Sequence, residues 1–396
     1  MIRFLRTHRF AFSPMIADMR YEYVSDRGEI LMGFIKGFTP NWFTVGMGTG
    51  ILALDAYSLP IGPSWLKLVG MGLGMLNVVI VTVLLVLAIL KVVYDRSGVR
   101  DIFHHPIQSM FLGAIPMAIT TVVNAVFVMG ARYDAVAAYH LGAIFWTINV
   151  LIALASGFAV PFWMFTRHDH ALSRMSAVWL MPIVPAEVVA ASGAILLPHV
   201  ASLALRQDLL VGITVLWAFS VPMAFLMLGV LFVRLALHNL PPEDLAISTW
   251  ITLGTLGTGV MGLIGIGHDV GFAFAQFSAG VQAASLLLAV ILWGLGLWWM
   301  GQSIFITLFY LVTGRLRFNL GWWGLTFPLG VFASGTDLLY GELKTPIFLW
   351  SAWIFFGLLA VFWVIVAGFT VWHHGLWGRT GKGSQEEREA AKREAS

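Results

Sequence analysis

"GWWGLTFPLGVFASG", residues 321–335, poses the question on which the fold turns. The stretch has no charged residue, as a membrane interior demands, yet it holds four glycines and a proline. A helix facing lipid has to satisfy every backbone N–H and C=O by itself, and Gly and Pro work against that. Irregular backbone at membrane depth is tolerated where it is buried in protein or lines a cavity. The alternative reading is that Gly and Pro simply mark close helix packing.

The rest of the chain has the same character. Of 396 residues, 59% are hydrophobic and 11% charged, and the mean hydropathy is +0.85. A soluble domain carries roughly 25% charged residues, so this is an integral membrane protein. Charge-free runs of about 20 residues, long enough to cross a bilayer as helices, recur from residue 38 to residue 372. A barrel strand would alternate with period two, and "VVIVTVLLVLAIL" (78–90) does not. There is no cysteine, so no disulfide supports the fold and thiol content says nothing of compartment. The first 20 residues carry arginines but no long apolar core of the signal-peptide kind. Seventeen tryptophans read as interfacial anchors.

Cutting at charged and turn-rich linkers predicts ten helical spans: 38–58, 66–93, 106–130, 139–165, 176–199, 209–237, 244–267, 275–311, 320–340 and 346–372. The eighth is long enough to suggest a tilted helix with a re-entrant start. A segment 1–37 precedes the membrane domain 38–372, and a charged tail 373–396 follows it. With both ends placed in the cytoplasm, all 23 lysines and arginines fall inside except Lys67, Arg132, Arg206 and Lys344. That bias is the positive-inside pattern of a cell (plasma or inner) membrane protein. The net charge of +3 reflects this placement and does not point to nucleic acid.

The helix breakers repeat. Pro40, Pro116, Pro185, Gly254 and Pro328 mark the odd-numbered spans at intervals of 76, 69, 69 and 74 residues, close to two spans plus two loops. Pro182 lies beside Pro185 in "LMPIVPAEVVAASG" (180–193). The even spans are smoother, with Pro222 in the sixth the mid-span exception. A fixed period of this kind indicates repeated structural units, here five pairs of one irregular and one smooth helix. Five irregular helices around one axis would enclose a pore.

"FTPNWFTVGMGTGI" (38–51), "MPIVPAEVVAASG" (181–193) and above all "GWWGLTFPLGVFASGTDLLY" (321–340) resemble the tellurite-resistance/dicarboxylate transporter family. That family includes bacterial tellurite-resistance proteins, fungal malate transporters, fungal sulfite efflux pumps and slow anion channels of plant guard cells. The resemblance covers nearly all of 38–372, and the tryptophan, threonine, phenylalanine and proline cluster looks closest to the sulfite and malate branches. It implies ten helices in five hairpins with quasi-five-fold symmetry, a homotrimer, and a central pore occluded by Phe327. Small anions, sulfite or a C4-dicarboxylate such as malate, are the substrates it implies, with the lipid bilayer as the surroundings.

Weak contacts suit an anion path better than a fixed cation. Asn41, Thr44, Thr120, Asn124, Thr255, Thr258 and Thr326 are the candidates, each equally readable as a hydrogen bond to a neighbouring helix. Glu187, in the fifth span, is a candidate for proton coupling or a structural carboxyl. Asp55, Asp337, Glu342, His268 and Asp269 fall at outer ends and read as rim or loop residues. "HHP" (104–106) and "RHDH" (167–170) read as loop residues rather than metal ligands, and no cofactor is implied. "GMGTG" (46–50) and "GMGLG" (70–74) follow no strand and read as close helix packing. The rival readings, a membrane-embedded enzyme or a closed sensor, would need clustered polar residues or a solid core.

Overall fold

A computed structural model describes residues 32–374, and these are helical with no strand among them. The segment 1–31 and the tail 375–396 lie outside the described residues. The helices are α1 (Phe43–Ser58), α2 (Ser64–Tyr94), α3 (Arg96–His104), α4 (Ala114–Val128), α5 (Ala135–Thr166), α6 (Pro185–Leu196), α7 (Leu203–His238), α8 (Thr252–Ala273), α9 (Ser278–Val312), α10 (Phe327–Leu343) and α11 (Pro346–His374). Seven helical segments are long and apolar enough to cross a membrane. The eighth expected span is one continuous 35-residue helix, α9, with no re-entrant start.

Two kinds of helix alternate. α2, α5, α7, α9 and α11 are uninterrupted runs of 29 to 36 residues. α1, α4, α6, α8 and α10 have 12 to 22 residues, and a 3₁₀ stretch lies just ahead of each of them in the chain. At about 1.5 Å per residue a 12-residue helix covers about 18 Å, well short of a bilayer. The 3₁₀ stretches, Pro40–Trp42, Gln108–Gly113, Ala177–Leu180, Glu243–Ile251 and Leu320–Leu325, supply the missing length.

The repeating helix breakers sit at these junctions. Pro116, Pro185 and Pro328 fall in the first turn of α4, α6 and α10, where a missing N–H leaves no intrahelical bond unmade. They start α-helices rather than kink running ones. The change from 3₁₀ to α geometry is the observed irregularity.

Burial separates the two classes. In the most apolar stretch of the long helices, 22 to 33% of residues are buried, against 56% for Gln108–Arg132 and 89% for Glu243–Ala273. The short helices are therefore the core and the long ones its lipid-facing jacket. α1 packs on α4, α4 on α6, α6 on α8, α8 on α10, and α10 on α1 again. Each long helix packs on the short helix before it and the short helix after it, with α11 reaching back to α1.

Small residues allow this crowding. A Cβ on Gly257 of α8 would lie 2.5 Å from the backbone nitrogen of Phe332 in α10, and one on Gly48 would lie 2.1 Å from Thr326 Oγ1. "GMGTG" is thus a packing motif, as expected. Tryptophan is the departure. Trp146 donates to Val189 O at 2.8 Å, Trp217 to Gly259 O at 3.1 Å, Trp293 to Thr336 Oγ1 at 3.0 Å and Trp363 to Thr49 Oγ1 at 3.1 Å. Each bond runs from a long helix to the next short helix around the ring. In the 3₁₀ stretches Trp250 donates to Thr307 and Trp323 to Thr370. These six are internal staples, not interfacial anchors, because an indole N–H inside a membrane has no water to bond. Trp65 and Trp350, more than half exposed, keep the anchoring role.

Candidate functional site

The five 3₁₀ stretches and the helix starts that follow them surround one cavity of about 120 Å³. Every core segment contributes. Asn41, Thr44 and Met47 come from the first, Phe111 and Met117 from the second, and Val178, Met181 and Val184 from the third. The fourth gives Ser248, Ile251 and Gly254, and the fifth Trp323, Gly324, Phe327 and Pro328. The lining residues farthest along each segment are Met47, Met117, Val184, Gly254 and Pro328, with Phe327 beside the last. The far halves of the five core helices add nothing to the wall, so the cavity ends at an apolar level. Phe327, the first residue of α10, is 3% exposed there.

The wall is almost without charge. Asp244 is the lining carboxylate, and it is exposed at the end of the cavity where the fourth segment begins. Most polar groups on the wall are engaged. Thr44 Oγ1 donates to Asn41 O at 2.6 Å and Ser248 Oγ to Leu245 O at 2.6 Å. Asn319 accepts from Gly321 N at 2.7 Å and donates to Asp244 O at 3.1 Å. Asn41 Oδ1 is buried without a hydrogen-bond partner, which leaves its amide free to turn toward an occupant.

Of the residues singled out from the sequence, Asn41, Thr44, Gly254, Phe327 and Pro328 meet at this cavity. Pro40, Pro116, Pro182 and Pro185 are buried behind it. Thr120, Asn124, Thr255, Thr258 and Thr326 are off its wall. Thr120 donates to Pro116 O at 2.9 Å and accepts from Asn149 Nδ2 at 2.9 Å. Thr326 donates to Trp323 O at 2.8 Å, and Asn124 Oδ1 accepts from Ser192. A threonine in a membrane helix commonly satisfies its hydroxyl on the preceding turn, as Thr120 and Thr326 do here.

Glu187 is 0% exposed and also off the wall. Thr258 Oγ1 lies 2.8 Å from its Oε1 and 2.7 Å from Gly254 O, and the side chains of Thr255 and Ser220 face the same carboxyl. Glu187 thereby ties α6 to α8. The rim reading of Asp55 and Asp269 is corrected: both are 1% exposed. Asp55, one turn from the end of α1, accepts from Ser334 Oγ of α10 and faces Asp337. Packing of α10 over the end of α1 closes off what the sequence places at an edge. The loop histidines form no cluster of three or more metal-ligating side chains among the described residues. His168 instead bonds Phe103 O at 2.9 Å.

Residues 37–371 match the family of SLAC1 voltage-dependent anion channels. The chain belongs to this anion channel family. It is 33% identical over 351 residues to a sulfite efflux pump of Arthroderma otae, with 85% of this chain and 91% of that protein covered. It is 32% identical to the sulfite efflux pump of Trichophyton rubrum with the same coverage. An uncharacterized transporter of Methanocaldococcus jannaschii is 29% identical over 342 residues, covering 85% of this chain and 93% of its own. The protein is therefore a membrane transporter or channel for small anions, and the cavity is its candidate pathway. Met47, Met117, Val184 and Ile251 escaped the sequence reading. The signal was present: Met47, Met117, Val184, Gly254 and Phe327 recur at intervals of 70, 67, 70 and 73 residues.

Proposed function

We propose that the chain carries sulfite or a similarly small anion along the axis of its five core segments, with Phe327 as the closing ring. One observation carries this reading: all five segments wall a single, nearly uncharged cavity that ends where Phe327 packs. In this reading ten helices cross the membrane as five hairpins with quasi-five-fold symmetry. The cavity opens to the cytoplasm, since the lysines and arginines concentrate on that side. The membrane is the plasma or inner membrane, and three copies associate through their long helices.

The chemistry follows from the wall. An anion entering a fixed cationic site would be held too tightly to leave, whereas amide, hydroxyl and backbone donors bind weakly enough for passage. Asn41 is on the wall, and its Nδ2 is the amide donor there that would meet an anion. Sulfite leads the substrates because relatives named as sulfite efflux pumps align over most of both chains. Malate is the second substrate to test. Purified protein in proteoliposomes should accumulate labelled sulfite, with unlabelled sulfite competing better than malate, nitrate or chloride. Absence of flux for every one of these anions would defeat the proposal.

Glu187 serves in this scheme as a brace rather than a proton carrier, because it sits off the wall and accepts from Thr258 of α8. Glu187→Gln keeps its shape and its contact with Thr258. Flux and its pH profile should then match the original protein; a displaced profile would make Glu187 a coupling residue.

A further inference from the structure

We infer that α3 and the end of α5 form a binding site for the headgroup phosphate of an anionic phospholipid, beside the cavity mouth. Arg96, Arg100 and His104 recur every fourth residue of α3 and so share one face. Arg167, the residue that ends α5, joins them around a groove of about 470 Å³ floored by Phe103 and Trp163. Those two rings lie 4.5 Å apart and present an apolar surface beside the arginines.

The groove is built, not incidental. Ile102 is buried on α3, and Asp95 caps the helix by accepting from Gly98 N at 3.0 Å. The His168 ring bonds Phe103 O at 2.9 Å, which ties the loop after Arg167 onto α3. No carboxylate lines the groove. None of its three arginines has a carboxylate within 4.0 Å among the described residues, unlike Arg174 with Asp169 or Arg315 with Glu243. The nearby Asp95 carboxylate is occupied by Lys91 at 2.8 Å, and Asp101 of α3 lies outside the lining.

Three arginine forks unmatched by acid call for an anion, and arginine suits the two-point geometry of phosphate. The aromatic floor and the exposed, apolar flanks of α2 and α5 select a lipid phosphate over a free one. Ile107, just past α3, lines the cavity, so the bound lipid would sit next to the entrance.

The test is native mass spectrometry of the full-length protein in detergent, titrated with phosphatidic acid, phosphatidylglycerol or phosphatidylcholine. Glycerol phosphate and inorganic phosphate serve as competitors. The anionic lipids should be retained in preference to phosphatidylcholine. Arg96→Gln, Arg100→Gln and Arg167→Gln combined should weaken them on the order of 100-fold, at about fivefold per arginine. Arg315→Gln with Arg317→Gln should leave retention unchanged. Equal retention by the triple variant, or equal retention of phosphatidylcholine, overturns the assignment. Competition by inorganic phosphate at the lipid's own concentration overturns the lipid as ligand. If the triple variant does not fold, Arg100→Gln alone should weaken retention several-fold, and no change there overturns the site.

Discussion

Phe327→Ala tests the pathway most directly. The ring is 3% exposed at the closed end of the cavity. Burying a phenylalanine side chain contributes about 1.5–3 kcal/mol. Pushing the ring into an off-rotamer position adds about 0.5–1.5 kcal/mol. Moving it aside therefore costs about 2–4.5 kcal/mol, and a factor of ten corresponds to about 1.4 kcal/mol. Removing the ring should raise anion flux by roughly 30- to 1,000-fold, while the truncation lowers stability by about 3–5 kcal/mol. Phe332→Ala separates the two effects. That ring is 0% exposed on the same helix but off the cavity, stacked 6.4 Å from Trp293. It should cost similar stability without any gain in flux. Both variants belong in one proteoliposome assay, with thermal unfolding in detergent as the fold control. A folded Phe327→Ala protein with unaltered flux, or a Phe332→Ala protein that opens equally, would refute the reasoning.

Trp146→Phe keeps the aromatic body and removes the 2.8 Å bond to Val189 O, so unfolding should show a loss of about 1 kcal/mol. Trp350→Phe, exposed to lipid, should leave stability unchanged. Gly257→Ala drives a methyl to within 2.5 Å of the Phe332 backbone nitrogen and should cost about 1–3 kcal/mol or more, read as a lower unfolding temperature. Gly294→Ala meets no atom within 4 Å and should be tolerated. Bonding from Lys91, and then from the Gly98 N–H, holds the Asp95 carboxyl below its ordinary range. Its contribution is therefore present above the unfolded value near about 4 and is lost as pH falls through the lower folded value. Asp95→Asn should destabilise the protein at neutral pH, and thermal melts should converge with the original as pH drops below about 4.

Composition and periodicity made much of this legible in the sequence. A charge-free run such as 78–90 can only be a membrane-spanning helix, and Pro40, Pro116, Pro185, Gly254 and Pro328 mark the core segments in the sequence itself. Asn41, Thr44 and Phe327 reached the cavity because they belong to the same irregular stretches. Thr120, Thr258 and Thr326 did not, because a hydroxyl's partner depends on which side of the helix it occupies, and span-level patterns do not fix that. Asp55 lies near a helix end in the sequence, and only the approach of α10 buries it. Tryptophan was misread for a related reason: an indole beside lipid and an indole stapling two helices have the same local sequence. The 70 to 76 residue recurrence of Trp146, Trp217, Trp293 and Trp363 was the available clue.

The Trp363–Thr49 bond joins residues 314 positions apart. It sits where the last of the described helices meets the first core helix. The circle is a hoop whose clasp is translated after the other described helices. Until α11 emerges, the glycine-rich flank of α1 has no neighbour on that side, and the nascent protein depends on lipid or the insertion machinery to shield it. Loss of α11 alone would leave the other ten described helices present and the hoop unfastened.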